Sequence, residues 1–434
     1  MSIFISKGLD RGDGEMAYVN LSGWHRHVVP VSSALAPAAR CVHSLAWRKA
    51  NFHEQEQRRQ WQPGVLARSK RHSFRSRLLR CAATAAVSSS SSLGEVPKKV
   101  VFLGTPEVAA CALKVLLSKE ECAKRVKRHG VEVSLVVSQP PAPAKRSAKK
   151  LVPSPVHALA DQAGVQVWTP ERARDAAFLE NLRELAPDLC ITVAYGQILP
   201  RSFLDIPKFG TLNIHPSLLP KYRGAAPVPR ALQAGDEITG VSVLFTVFEM
   251  DAGPLVAQAV RKLEGDEHAD ELLVELLEQG MHMILDLLDD LFEGTLQSTD
   301  QDASAVSHAP KMTADDGRVT FTQNARMVHN QIRAFASNPG TFADFEIWEE
   351  GAALPEPVRL KILRTRVARA EGGFRLGVHD VVFDKSEKAL RVVCDDGSEL
   401  FVDMVTPVGK KAMDARSFWN GMRGRALKRA RIGW

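Results

Sequence analysis

Apolar residues alternate between two spacings from residue 98 to about residue 300. The run 98–103 (KKVVFL) is short, apolar and closed by Gly-Thr-Pro, which predicts a buried strand. Val108, Cys111, Ala112, Val115 and Leu116 follow at the three-and-four spacing of one helix face. The same alternation predicts a strand over 131–137 and a helix over 156–163, with Ser154 as N-cap and Pro155 in the first position. It then predicts a strand over 165–167, a helix over 174–185, and buried strands over 189–193 and 211–214. A strand-like run covers 241–248. Residues 266–292 place Leu272, Leu276, Met281, Ile284, Leu288 and Leu291 on one side of a long amphipathic helix, read as core. Strands separated by helices predict a parallel sheet covered on both faces, with ligands held beyond the carboxyl ends of the strands.

The pattern changes after residue 300. Residues 293–318 are polar and read as a linker, with the linker proper at 301–317. One helix is expected over 322–336. Short strand candidates follow at 342–348, 358–367, 373–376, 381–383, 390–393 and 400–404, a spacing that suggests a small β-barrel. The expected organisation is a leader over 1–94, an α/β domain over 95–300, the linker, and a barrel domain over 318–434.

Composition narrows the class. The 434 residues are 45% apolar and 25% charged, which excludes a wholly disordered chain and a collagen. No uninterrupted apolar run reaches the roughly 18 residues of a bilayer-spanning helix, so no membrane partner is expected. The net charge of +7 is uneven. Residues 16–94 hold twelve Lys/Arg against two Asp/Glu, whereas 95–317 are net acidic and 318–434 carry twenty basic against fourteen acidic residues. An Arg-, Ser- and Ala-rich, acid-poor leader suits import into a mitochondrion, or alternatively a plastid. Asp10, Asp13 and Glu15 are unusual in such a leader, and translation starting at Met16 would remove them. The six cysteines form no Cys-x-x-Cys pair and read as free thiols. The C-terminal basic run from Arg423 to Arg431 reads as a solvated tail.

Candidate chemistry concentrates in 210–227, GTLNIHPSLLPKYRGAAP. Asn213 and His215 lie two apart on an expected strand, so their side chains leave it on the same side. Pro216 ends the ladder. An amide in that place can donate to a developing oxyanion, and an imidazole can move a proton near neutral pH. The loop after them adds two cations, Lys221 and Arg223. Taken alone, Asn-x-His is a weak signal, since a lone histidine at a strand end more often only holds structure; the flanking loop is what favours chemistry here. Asp251 reads either as a partner for the imidazole or as a turn residue before Ala-Gly-Pro. Nucleotide signatures are weak: Gly104-Thr-Pro follows the first strand, but no Gly-x-Gly-x-x-Gly and no Walker sequence occurs.

These residues carry a resemblance. VFLGTPEVAA (101–110), KKLVPSPV (149–156), DLCITVAYGQILP (188–200), the Asn213/His215 run, Met250-Asp251-Ala-Gly and GKKAM (409–413) together resemble the 10-formyltetrahydrofolate-dependent formyltransferases over about 320 residues. SLLPKYRGAAP (217–227) is most similar to the members that act on methionyl-tRNA. The resemblance implies a Rossmann-like formyltransferase domain followed by an oligonucleotide-binding-like (OB-like) barrel. It implies transfer of formyl from 10-formyltetrahydrofolate to methionyl-initiator-tRNA, with Asn213, His215 and Asp251 as the catalytic group and no metal. It further implies a folate pocket formed by Val193, Ala194, Tyr195 and Gly196 with Ser217, Leu218, Leu219, Pro220, Lys221, Tyr222, Arg223 and Gly224. In the basic stretch 139–150, Lys145, Arg146, Lys149 and Lys150 fall where the family carries an acceptor-stem clamp. There the family pattern has Asp-Arg-Pro-Ala-Gly-Arg after Gln-Pro, and this chain has Pro141-Ala-Pro-Ala-Lys-Arg. Lys410, Lys411 and Arg416, in or just after the matched GKKAM, are the tRNA-contact candidates of the barrel. A monomer is expected. The alternatives are another folate formyl enzyme, acting on glycinamide ribonucleotide or a sugar amine, and a non-catalytic RNA-binding protein on the same scaffold.

Overall fold

Two-sided burial of single strands sets the plan of the first domain. In β1 (Lys98–Gly104), Val100 and Phe102 enter one apolar cluster while Val101 and Leu103 enter another. Successive side chains of a strand point to opposite faces, so a continuous apolar run is what burial on both faces requires. The structure is a computed structural model and describes residues 96–143, 150–368 and 377–430. The leader 1–94 and the strand expected at 373–376 lie outside the described residues.

After β1 come α1 (Glu107–Leu116), α2 (Lys119–Arg125), β2 (Val131–Val137), a small ribbon of β3 (Ala142–Pro143) and β4 (Leu151–Val152), α3 (Pro155–Gln162), β5 (Val167–Trp168), α4 (Ala176–Leu185) and β6 (Leu189–Val193). The chain continues with α5 (Arg201–Leu204), β7 (Thr211–His215), β8 (Arg223–Gly224), α6 (Pro227–Ala234), β9 (Ile238–Phe245), β10 (Leu255–Lys262) and α7 (Ala269–Glu293). Ser154 caps α3 as expected, its hydroxyl accepting from His157 N–H at 3.1 Å. The main sheet has the order β10-β9-β7-β6-β1-β2-β5. The five strands from β7 to β5 run parallel, as expected. At the other edge β9 runs against β7, and β10 pairs antiparallel with β9. The loop 246–254 is too short for a crossover, so it can only fold the chain back as a hairpin.

Helix α7 covers β7 and β9 at a close approach. A Cβ on Gly280 would overlap the γ-methyl of Ile214 and sit 3.0 Å from Val241. Only glycine lets the helix lie this near the strand that carries Asn213 and His215.

The second domain contains α8 (after β11, His308–Ala309) at Ala325–Phe335, then β12 (Phe342–Trp348), β13 (Glu356–Val367), β14 (Asp380–Asp384), β15 (Ala389–Val393), β16 (Glu399–Pro407), β17 (Met413–Asp414), α9 (Ala415–Gly421) and β18 (Ala426–Arg429). Six strands in the order β13-β12-β18-β14-β15-β16 are antiparallel, and β16 pairs back onto β13 to close the barrel. The run expected as a solvated tail is corrected in part. Ala426–Arg429 is the strand between β12 and β14. Leu427 fills the barrel core, and the buried Arg429 guanidinium is held by the Val393 carbonyl and Asp395. Closure of the ring needed a sixth strand, and a buried guanidinium is tolerated because it is paired. Much of the barrel's positive charge is likewise spent internally, in Arg359–Asp344, Arg366–Asp403, Arg391–Asp384 and Arg425–Glu356 pairs.

The stretch expected to be a bare linker is laced onto the first domain. β11 pairs parallel with β8, Thr299 and Leu255 exchange backbone hydrogen bonds at 2.8 Å, and Ser307 N–H donates to the Pro220 carbonyl. Polar composition marked it as non-core but said nothing of where its backbone bonds go. Across the domains, Phe335 of α8 joins the first domain's core, and Arg230 of α6 grips Asp316 at 2.7 Å.

Two outcomes follow. Gly280→Ala should lower the unfolding free energy by about 1–3 kcal/mol, because overpacking against Ile214 outweighs the roughly 1 kcal/mol gain in helix propensity; urea unfolding measures it. The Arg230 hydrogen bond holds the Asp316 carboxyl below the usual carboxylate range. Its contribution is therefore present above the unfolded carboxyl value and is lost as pH falls through the folded one. Melting curves taken from about pH 5 down to pH 3 should show wild type losing stability faster than Asp316→Asn, and parallel losses would contradict the assignment.

Candidate active site

The carboxyl ends of β6 and β7 bring the expected residues together. Leu212 and Ile214 enter the cluster under α7, so Asn213 and His215 face the other side of the sheet. Register places Asn213 beside Thr192 of β6 and His215 beside Ser242 of β9. His215 is 4% exposed. Its Nε2 lies 2.9 Å from the Tyr222 carbonyl oxygen. A carbonyl only accepts, so Nε2 carries the hydrogen and donates. That leaves Nδ1, which faces Asp251 Oδ2 at 3.7 Å. The same Oδ2 accepts the Gly224 backbone N–H at 2.9 Å. Asp251 holds a left-handed backbone, φ 51°, in the β9–β10 loop. The Asn213 side chain is half-buried and makes no hydrogen bond among the described residues, which leaves its donors free for a ligand.

The loop after β7 is tied at every turn. Ser217 Oγ donates to the Lys221 carbonyl at 2.7 Å. The buried Ser242 hydroxyl donates to the Ser217 carbonyl at 2.6 Å and accepts from Leu219 N–H at 3.0 Å, while Gln258 Nε2 donates to the Leu219 carbonyl. Tyr222 has φ 62°, its N–H donates to Ser307 Oγ at 2.9 Å, and its hydroxyl donates to Asp236 at 2.9 Å. Burial, followed by the Asp236 carboxylate, pushes the Tyr222 phenol up to about 12, so it stays a neutral donor. Gly224 has φ 120°, and a Cβ there would stand 2.8 Å from the Ala309 carbonyl oxygen.

At the end of β6, Ala194 (φ 46°) and Gly196 (φ 85°) reverse the chain. The Tyr195 carbonyl between them accepts from Thr105 Oγ1 at 2.9 Å and Gln139 Nε2 at 3.0 Å. Burial raises the Tyr195 phenol well above its usual value.

The expected pocket residues therefore divide by burial. Ala194, Gly196 and Lys221 are exposed; Leu218, Pro220, Tyr222, Arg223 and Gly224 are half-buried; Val193, Tyr195, Ser217 and Leu219 are buried and shape the two loops from within. Of the expected tRNA contacts, Lys150 is exposed beside β4, and Lys410, Lys411 and Arg416 are exposed at the β16–β17 turn and the start of α9. Lys145, Arg146 and Lys149 lie outside the described residues. No group of three or more His, Cys, Asp or Glu suited to a metal ion occurs among the described residues. Sequence reasoning missed Ser242, Gln258, Ser307 and the Tyr222 carbonyl. Ser242 alone left a signal, a polar residue inside the apolar run GVSVLF. Ser307 left none, because its segment reads as linker.

An imidazole–carboxylate pair and an unspent amide, at the strand ends of a doubly wound sheet followed by a closed barrel, define a group-transfer enzyme. Residues 98–288 match the formyl transferase family and residues 311–423 match the formyl transferase C-terminal domain. The methionyl-tRNA formyltransferase of Frankia alni is 38% identical over 332 residues, covering 75% of this chain and 92% of the relative. That of Saccharopolyspora erythraea is 40% identical over 293 residues, covering 65% of this chain and 91% of the relative. Among solved structures, an N-formyltransferase from Helicobacter canadensis in complex with folinic acid and dTDP-3-aminofucose aligns with a TM-score of 0.48 at 18% identity, covering 71% of this chain and 99% of that one. The chain belongs to the formyl transferase family, among the methionyl-tRNA formyltransferases, and it is a formyl-transferring enzyme.

Proposed function

We propose that this enzyme transfers the formyl group of 10-formyltetrahydrofolate to the α-amine of methionyl-initiator-tRNA. The observation that carries the reading is the meeting of His215 and Asp251 at the end of β7, on the side of the strand that also carries the unspent Asn213 amide. The amine attacks the formyl carbon and a carbon–nitrogen bond forms. The formyl oxygen becomes an oxyanion, to which the Asn213 amide donates; one preorganised donor is worth about 3–4 kcal/mol. The proton leaving the amine passes, directly or through water, to His215 Nδ1, the ring nitrogen whose lone pair remains. The Asp251 carboxylate at 3.7 Å stabilises the imidazolium so formed. Proton transfer of this kind contributes about 10²–10⁴ in rate. The bond from the formyl carbon to N10 then breaks, and N10 takes the proton as tetrahydrofolate leaves. Every bond and proton is accounted for without a further reactant.

The turns at 194–196 and 218–224, open to solvent at Ala194, Gly196 and Lys221, suit a flat, partly polar donor such as the folate. Lys150, Lys410, Lys411 and Arg416 suit the phosphates of an RNA acceptor. The Arg-rich leader supports work inside an organelle, a mitochondrion or alternatively a plastid.

Purified residues 95–434 should formylate charged initiator tRNA when given 10-formyltetrahydrofolate, read on acid–urea gels. Asn213→Ala or Asp251→Ala should cut turnover about 10²-fold or more with little change in melting temperature; wild-type turnover in both would end the triad assignment, and formylation of a sugar amine in place of the tRNA would redirect the substrate. Residues 1–94 fused to a fluorescent protein should carry it into mitochondria, and a cytosolic signal would remove the organellar reading.

A further inference from the structure

The segment that leaves α7 and crosses to the barrel passes directly behind the catalytic carboxylate. Gln301 stands at the crossing. Its Nε2 donates both hydrogens, one to the Asp251 carbonyl and one to the Gly253 carbonyl, each at 2.8 Å. Its Oε1 accepts from Arg223 Nε at 3.0 Å and from the same guanidinium's terminal nitrogen at 2.6 Å. All four contacts of one amide are thus spent on joining two loops. One carries Asp251 in a left-handed backbone; the other carries Gly224, whose N–H binds the Asp251 carboxylate.

We infer that Gln301 is a positioning residue that sets the Asp251 carboxylate against His215, so that the interdomain segment is a working part of the active site. The inference rests on the formyl-transfer reading of His215 and Asp251. Asp251 has few other restraints. It lies in a loop, its φ of 51° is disfavoured for a side chain, and its carboxylate is 3.7 Å from the imidazole, a separation at which a shift of about 1 Å already weakens the attraction. Glutamine suits the place because two carbonyls need two donors and a guanidinium needs an acceptor. Glutamate supplies only the acceptor, lysine or arginine only donors. Gln301 reaches the site through the backbone of Asp251 and the guanidinium of Arg223. Its effect reaches the chemistry through Asp251, which separates it from a residue that merely stiffens the chain.

A double-mutant cycle on the full chain distinguishes the two. Gln301→Ala should lower kcat about 10–100-fold and leave KM for the folate within about twofold, since a misplaced group of about 1 Å costs turnover of that order. In an Asp251→Ala background the same substitution should change kcat less than about threefold, because the group it positions is gone. Gln301→Glu keeps the acceptor for Arg223 and loses both donors, so it should reproduce the kcat loss even where alanine unsettles the segment. Full kcat in Gln301→Glu, or an equal loss in both backgrounds, overturns the inference. Wild-type kcat in Asp251→Ala alone overturns the triad reading instead, so the two failures read differently.

Discussion

A single hydrogen bond, from His215 Nε2 to the carbonyl of Tyr222, orders the whole site. It decides which ring nitrogen keeps the hydrogen, and so which one faces Asp251. For that carbonyl to point inward, Tyr222 must adopt φ 62°, and the next glycine must follow at φ 120° with the Ala309 carbonyl packed where a side chain would be. The proposed catalytic arrangement is therefore a property of a folded-back loop as much as of three side chains. The loop is held by Ser217, Ser242, Gln258 and Ser307.

The sheet beneath supplies rigidity where the loop supplies shape. β7 is buried on both faces, with Ile214 pressed under Gly280 of α7 and Asn213 and His215 on the opposite side. A strand so placed has little freedom to tilt, and pre-set donors are effective only when they need no reorganisation during the reaction. The two domains share this economy. The segment between them carries the second strand of the β8–β11 pair and closes the site from behind before α8 packs into the first domain's core.

Much of this was legible from residue spacing. The apolar runs of β1, β2, β6 and β7, the Ser154-Pro155 helix start and the barrel strands expected at 342–348, 358–367, 381–383, 390–393 and 400–404 all depend on local rules, and the structure agrees with each of these to within a few residues. Asn213 and His215 were legible because a two-residue spacing on a strand fixes a shared side. Asp251 depended on the family resemblance, since nothing local separates a turn aspartate from a catalytic one. The antiparallel edge at β9, the strand Ala426–Arg429 and the lacing of 299–309 were not legible. Each is a pairing whose partner or direction residue spacing does not specify.

The amino-acid order alone determined many of the strands and helices, that two domains follow a basic N-terminal stretch, and that an amide and an imidazole leave one strand end together. These depend on side-chain periodicity, which is written within ten or fifteen residues. Only the tertiary structure decided which nitrogen of His215 is free, that Gly224 and Asp251 meet, that Arg429 is buried, and that Gln301 ties the two loops. Those outcomes rest on backbone groups finding partners up to 85 residues away, as Tyr222 finds Ser307. Every residue except proline carries the same backbone donor and acceptor, so the sequence cannot say which of them will pair.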